Sequence, residues 1–230
     1  MEKRSVTLGG YKTADYGWTL TSVDLTAPEQ KTNYVEKTGG DGSWDLSTVM
    51  TGGIPRYKDR TLTVSLEHSQ GTREDREEII NEMVNQLDGL EWHIVLPDRT
   101  DYYLVGRVRV AVEYSDLAHA KVVVTAVVEP WFYKARETIV VLNEPITVST
   151  DAATFTIWNN GRKVVTPRLD VKGTASLTFN GNRINLTEGT GIVWPALQLA
   201  PGENTLMYTG SSTSNPGETL TLTYREAVLR

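Results

Sequence analysis

The side chains best able to do chemistry are few and are not grouped. The three histidines, His68, His93 and His119, lie far apart, and none stands at metal-ligand spacing with another or beside a carboxylate motif. Each reads as an isolated strand or turn residue. Asp98 and Asp101 flank a turn in Pro97-Asp98-Arg99-Thr100-Asp101, and two carboxylates facing one another across a sugar can hydrolyse a glycosidic bond. Spacing alone does not set them face to face, and the string suits an ordinary hairpin turn. The chain has no cysteine, which excludes disulfides, thiolate metal sites and thiol nucleophiles. It contains no Gly-x-Ser-x-Gly elbow, Walker loop or dinucleotide fingerprint. No catalytic, metal-binding or cofactor-binding residue is assigned, and the sequence reads as that of a non-enzyme.

Tryptophan is the plentiful functional type: Trp18, Trp44, Trp92, Trp131, Trp158 and Trp194. An exposed indole on a β-sandwich can stack against a sugar ring, so a carbohydrate-binding, adhesin-type module recognising host saccharide is one class of function. Core or interface packing is the other use of the same side chain. Trp158 lies in an alternating strand and is expected to be buried. Trp194, before Pro195 and between two glycine-marked turns, fits either role.

The elements that must position these residues follow from periodicity. With 230 residues the chain can form one large or two small domains. Its net charge is −6 and no block of Lys and Arg accumulates, which argues against a phosphate-gripping nucleic-acid surface. No stretch approaches the roughly 20 apolar residues of a membrane span, and Met1 to Val6 lacks the apolar core of a signal peptide, so a soluble protein made in a cytoplasm is expected. Ser5 to Leu8 and Trp18 to Leu25 alternate as half-buried strands, with a further short strand over Lys31 to Val35. Arg73 to Leu87 sets Ile79, Ile80, Met83, Val84 and Leu87 on one stripe of a helix, capped by Thr72 or Ser69, with Gly89 as its left-handed terminator. Strands return over Glu91 to Leu96, Asp101 to Val110 and Ala120 to Glu129, the last expected inside its sheet.

Near Lys134 the composition shifts toward Thr, Asn and Gly, which divides the chain into residues 1–134 and an all-β unit at 135–230. Asn160-Gly161 and Asn180-Gly181 each read as a type I′ hairpin turn. Strands over Gly202 to Tyr208 and Glu218 to Arg225, with an exposed loop from Gly210 to Gly217 between them, complete the spacing of a sandwich.

One stretch fits none of these elements. Gly39 to Ser47 leads through Thr51-Gly52-Gly53-Ile54-Pro55 into the strand beginning at Arg60. It is a turn-rich arm too long and irregular for a simple hairpin connection. It nonetheless carries Trp44, Leu46, Val49, Met50 and Ile54, apolar side chains that a solvated loop has little reason to hold. They need a surface to cover, either their own sheet or another copy of the chain. These five are the candidate subunit-interface residues.

The order of features resembles the distal tail protein (Dit) of long-tailed bacteriophages, the siphovirus tail-component family, over nearly the whole length. The resemblance rests on Gly42-Ser43-Trp44-Asp45-Leu46-Ser47, Gly52-Gly53-Ile54-Pro55-Arg56-Tyr57 and Arg60-Thr61-Leu62-Thr63-Val64, followed by the helix. It continues in Leu96-Pro97-Asp98, Tyr102-Tyr103-Leu104-Val105-Gly106-Arg107-Val108 and Glu129-Pro130-Trp131-Phe132-Tyr133, then Asn160-Gly161, the stretch from Pro167 to Asn182 and Tyr224-Arg225-Glu226. Trp44, Gly53 and Ala227 stand where other residues are more readily expected. The resemblance implies a mainly β protein: an N-terminal β-sandwich-like domain with one α-helix and a protruding arm, plus a C-terminal galectin-like β-sandwich. It implies a hub ring, usually of six copies, in the virion at the phage tail tip. Its partners there are itself, the tail tube protein, and tail-tip or baseplate hub and receptor-binding proteins. DNA passes through such a ring without sequence-specific contact, and no membrane insertion is implied.

Overall fold

The computed structural model describes residues 4–116, 118–142, 153–210 and 220–229. It is mainly β, with one α-helix among the described residues. The chain forms two compact units, Met1–Pro130 and Trp131–Arg230.

In the first unit, strands β1 (Thr7–Leu8), β2 (Tyr11–Lys12), β3 (Thr19–Leu25), β6 (Arg60–His68), β7 (Glu91–Val95), β8 (Tyr102–Ser115) and β9 (Ala120–Val128) form an antiparallel sheet in the order β2-β1-β7-β8-β9-β6-β3. Between β3 and β6 the arm carries its own strands, β4 (Tyr34–Glu36) and β5 (Ser43–Asp45). Register explains why one face of the main sheet is apolar. Leu62 pairs with Ala126 and Ala126 with Val108, while Leu104 pairs with Ile94, Ile94 with Leu8 and Leu8 with Tyr11, and all are buried. Period-two alternation places these rows on one face. β9 has a strand on either side, as its composition predicts.

The helix α1 (Arg73–Leu87) packs against β8. Thr72 caps it through a reciprocal pair: the Asp75 N–H donates to Thr72 Oγ1 at 3.2 Å and the Thr72 N–H to Asp75 Oδ2 at 2.7 Å. The exposed carboxylate of Asp75 is held below its ordinary pKa by these Thr72 hydrogen bonds, the backbone one first. At the other end Gly89 takes φ 75° and its N–H donates to Val108 O at 2.9 Å, while Asp88 Oδ1 accepts from the Val110 N–H at 2.8 Å. The stripe differs from the sequence expectation. Its fully buried line is Arg76, Ile80, Met83 and Leu87, with Ile79 and Val84 only half-buried at its sides. A charged residue enters this line because its guanidinium donates to Gln70 O, Gly71 O and Asp116 O at 3.3, 2.8 and 2.9 Å. Carbonyls that secondary structure leaves unpaired thereby gain a donor.

The second unit has two four-stranded sheets. One contains β11 (Thr138–Leu142), β13 (Arg168–Val171), β16 (Gly189–Val193) and β18 (Leu220–Tyr224) in the order β11-β18-β13-β16. The other contains β12 (Ala153–Asn159), β14 (Ala175–Phe179), β15 (Asn182–Leu186) and β17 (Gly202–Gly210) in the order β12-β17-β14-β15. Leu169, Leu220 and Leu222 from the first and Ile157, Leu177 and Leu206 from the second share one core, closed by Trp194, Leu197 and Leu199 from the segment before β17. Short strands β10 (Phe132–Lys134) and β19 (Ala227–Val228) pair with each other. Of the expected loop from Gly210 to Gly217, all but Gly210, the last residue of β17, lies outside the described residues.

Two expectations for this unit are corrected. Asn180 and Gly181 do turn with φ 47° and 78° between paired β14 and β15, as a type I′ turn requires. Asn160-Gly161 does not, because neither residue has a positive φ and β12 pairs with the distant β17. The dipeptide serves a close backbone crossing instead. A Cβ on Gly161 would stand 2.7 Å from Ala227 O and 2.8 Å from Ala227 N, and Asn160 Nδ2 donates to Glu226 Oε1 at 3.0 Å. Trp158, expected inside, is 55% exposed, because Phe155, Ile157 and Asn159 take the inward positions of β12 and alternation turns the indole outward. Trp194, which fitted either role, lies in the core.

Three measurements check these assignments. Ile80→Asp or Met83→Asp places an unpaired charge in the first core and is expected to cost about 3 kcal/mol or more, whereas Glu77→Lys, which loses only an exposed pair with Arg73, should shift stability by about 0.5 kcal/mol or less. Equal effects in thermal melts would place the buried face elsewhere. Gly161→Ala should destabilise by about 1–3 kcal/mol, because the backbones must part, while Gly181→Ala acts only through its strained φ. Glu226 is buried, and burial alone would raise its pKa, but hydrogen bonds from Asn160 and Lys134 and the Lys134 charge outweigh burial and hold the carboxyl below its ordinary value. The folded state then binds fewer protons than the unfolded one in the window between the two values. The stabilisation is fully present above the ordinary glutamate range and is lost as pH falls through the depressed value. Acid titration of stability should show that loss, and Glu226→Gln should flatten it.

Candidate functional site: an apolar arm

The acidic and imidazole candidates stay apart. Asp98 sits on its turn with both carboxylate oxygens accepting from Arg4 Nη2, at 2.8 and 2.6 Å, and Asp101 is exposed. An open recess of about 640 Å³ is lined by Asp15, Tyr16, His68, Gln70, Asp75 and Ile79, but the Asp75 carboxylate in it is committed to the helix cap. His68 is buried edge-on to Trp18, and the Trp18 indole N–H donates to Tyr11 Oη at 3.0 Å. Burial pushes the Tyr11 hydroxyl well above the usual tyrosine range. These are core polar groups. No group of three potential metal ligands occurs among the described residues.

The arm is built differently. Its two limbs extend β3 and β6 beyond the sheet: the Thr26 N–H donates to Thr61 O at 3.0 Å and the Thr61 N–H to Thr26 Oγ1 at 2.9 Å, Gln30 bridges Tyr57, and the Lys31 N–H donates to Arg56 O at 2.8 Å. The arm therefore rises from Thr26 rather than from Gly39, and its outgoing limb belongs to it as much as its returning one. Beyond this stem β4 and β5 pair with each other and, among the described residues, with no other strand, in the register Tyr34↔Asp45, Val35↔Trp44, Glu36↔Ser43. The Leu46 N–H continues the ladder to Asn33 O at 2.8 Å. Asp45 Oδ1 accepts from the Ser47 N–H at 2.9 Å, and hydrogen bonds from Ser47 hold this exposed carboxyl below its ordinary pKa. The return limb then makes a short 3-10 turn, Val49–Thr51, before Pro55.

Register settles which apolar residues meet. Val35 and Trp44 are direct partners, and Leu46 lies two residues on from Trp44, so these three share one face. Lys37 places its ammonium 5.0 Å from the Trp44 ring centre. Trp44 is 62% exposed, Val49 65% and Met50 94%, and Leu46 is also exposed. Ile54 is only half-buried, with its carbonyl accepting from Thr51 Oγ1 at 2.5 Å. The arm thus brings Trp44 and Leu46 together, sets Val49 and Met50 on the turn beyond them, and draws Ile54 inward. Sequence reasoning missed Val35 and Tyr34, both exposed on β4. A strand over Lys31 to Val35 was visible, but nothing local showed that it pairs with the Trp44 segment across a glycine turn.

No protein-family model matches this chain, and no curated protein sequence matches it significantly. Among solved structures it is similar to the Dit (gp 19.1) protein of SPP1, described as a paradigm of the hub adsorption apparatus in phages infecting Gram-positive hosts. The match covers 98% of this chain and 99% of that one, with a TM-score of 0.69 at 16% sequence identity. At that identity the likeness is one of fold: the chain has a Dit-like fold along its length.

Proposed function

We propose that this chain is a structural hub protein of a phage tail tip, without enzymatic activity. In this reading it closes into a ring of identical copies, six by the resemblance, that joins the tail tube protein to baseplate and receptor-binding proteins. Residues 1–134 make the ring and the galectin-like domain at 135–230 serves the neighbouring adsorption proteins. The observation that carries the reading is a Dit-like fold over 98% of the chain combined with an arm whose apolar face has no cover within its own two-stranded sheet.

Physical argument supports the arm's role. A lone two-stranded hairpin is marginal in water, and this one exposes Val35, Trp44, Leu46, Val49 and Met50. A second copy of the chain can bury them, and a contact between different surfaces of identical copies closes into a ring when the rotation permits. Trp44 is the natural anchor, since buried aromatic residues dominate such contacts at about 2 kcal/mol or more each. A net charge of −6 also suits a passage through which nucleic acid slides without binding.

Native mass measurement of the purified chain tests the reading directly, with a closed oligomer expected. Trp44→Ala combined with Leu46→Ala should convert rings into folded monomers with an unchanged circular dichroism spectrum. If that double variant remains a ring, or unfolds, the arm covers its own domain and the ring is held by other surfaces.

A further inference from the structure

The arm leaves one exposed tryptophan unexplained. Trp158 stands on the outward face of the β12-β17-β14-β15 sheet, and we infer that this face binds an oligosaccharide, with the indole as its stacking platform.

The face can be read row by row from the pairing. Trp158 is opposite Glu203, Thr156 opposite Thr205, and Thr154 opposite Met207, which is in turn opposite Thr178, itself paired with Arg183. Trp158, Glu203, Thr156, Thr205, Thr154, Met207 and Arg183 are all exposed. A pyranose has the matching chemistry. Its C–H face packs on an indole, while its ring-plane hydroxyls need donors and acceptors beside that ring. Here the Glu203 carboxylate accepts and the Thr156 and Thr205 hydroxyls do both, while Arg183, three strands across the sheet, gives its Nε–H to Ser176 Oγ at 2.8 Å. Trp158 and Met207 are offset by four residues along the strands, about 13 Å. That length suits an extended oligosaccharide better than a single sugar.

The platform is also held in place. Tyr224 Oη, from the opposite sheet, donates to the Trp158 carbonyl at 2.8 Å. The neighbouring Asn159 is buried, with its amide donating to Lys163 O at 2.8 Å and Leu199 O at 3.1 Å. Backbone fixed this way lowers the ordering cost of binding. A protein partner fits the face less well. Protein contacts favour clustered aromatic and apolar residues with few charges at their centre, as on the arm, whereas here two separated apolar residues stand among hydroxyls, a carboxylate and a guanidinium.

The test is titration of the full chain, by calorimetry and ligand-observed NMR, with soluble linear oligosaccharides of glucose, galactose and N-acetylglucosamine at millimolar concentrations. At least one series should bind. Trp158→Ala should weaken it by about tenfold or more, Trp158→Tyr should retain most of it, and Trp44→Ala should leave it unchanged. Failure of every series to bind the unmodified chain overturns the inference, as does equal binding by Trp158→Ala. Dissociation of the oligomer by Trp158→Ala without any saccharide binding would assign the face to contacts between copies, and also overturns it. The readout does not depend on ring closure, so the hub reading and this one can fail separately.

Discussion

A β-strand presents side chains to two faces, and a domain of this size has enough apolar material to cover only one of them. Most of what distinguishes this chain follows from that constraint. In the first unit the helix packs against β8 and Leu62, Val108 and Ala126 are buried, and in the second the two sheets cover each other around Leu177 and Leu222. The arm's hairpin has no such partner within its own sheet, and both of its faces stay in solvent. Exposed apolar side chains therefore arise in two ways here. On the arm they are grouped on an uncovered face, and on the second sandwich Trp158 is a single aromatic turned outward by alternation.

Several polar side chains that the cores enclose are used in a consistent manner. Arg76 serves carbonyls at the start of its own helix and at the end of β8, and Asn159 and Asn204 each serve backbone groups of the turns beside them. Glu226 joins Lys134 and Asn160 in the second unit. In each case a buried side chain meets backbone or charge that regular pairing leaves unmet, and losing either partner costs more than the bond itself contributes. Such residues pin segments without regular structure to the sheets, which is why the turn before the helix and the crossing near Gly161 have defined geometry.

The Asp75 carboxylate is committed to the helix cap, Asp98 to a surface pair with Arg4, and His68 to the core beside Trp18. In the proposed reading the arm and the Trp158 face serve two kinds of recognition, neither depending on an enclosed site.

Local physics made much of this legible in advance. The alternation of Ala120 to Val128, the capped helix at Arg73 to Leu87, the Asn180-Gly181 turn and the apolar content of an irregular stretch around Trp44 all depend on neighbours a few residues away, and the sequence contains those neighbours. The order of such segments also carried the Dit-like fold. Other features depended on residues far along the chain. Gly161 is glycine because Ala227 passes against it, Arg76 is buried because Asp116 offers a carbonyl, and Trp44 shares its face with Val35 because β4 pairs with β5. The exposure of Trp158 depended on the other sheet meeting Ile157 rather than its neighbour, a choice between two faces that strand periodicity leaves open and only tertiary packing makes.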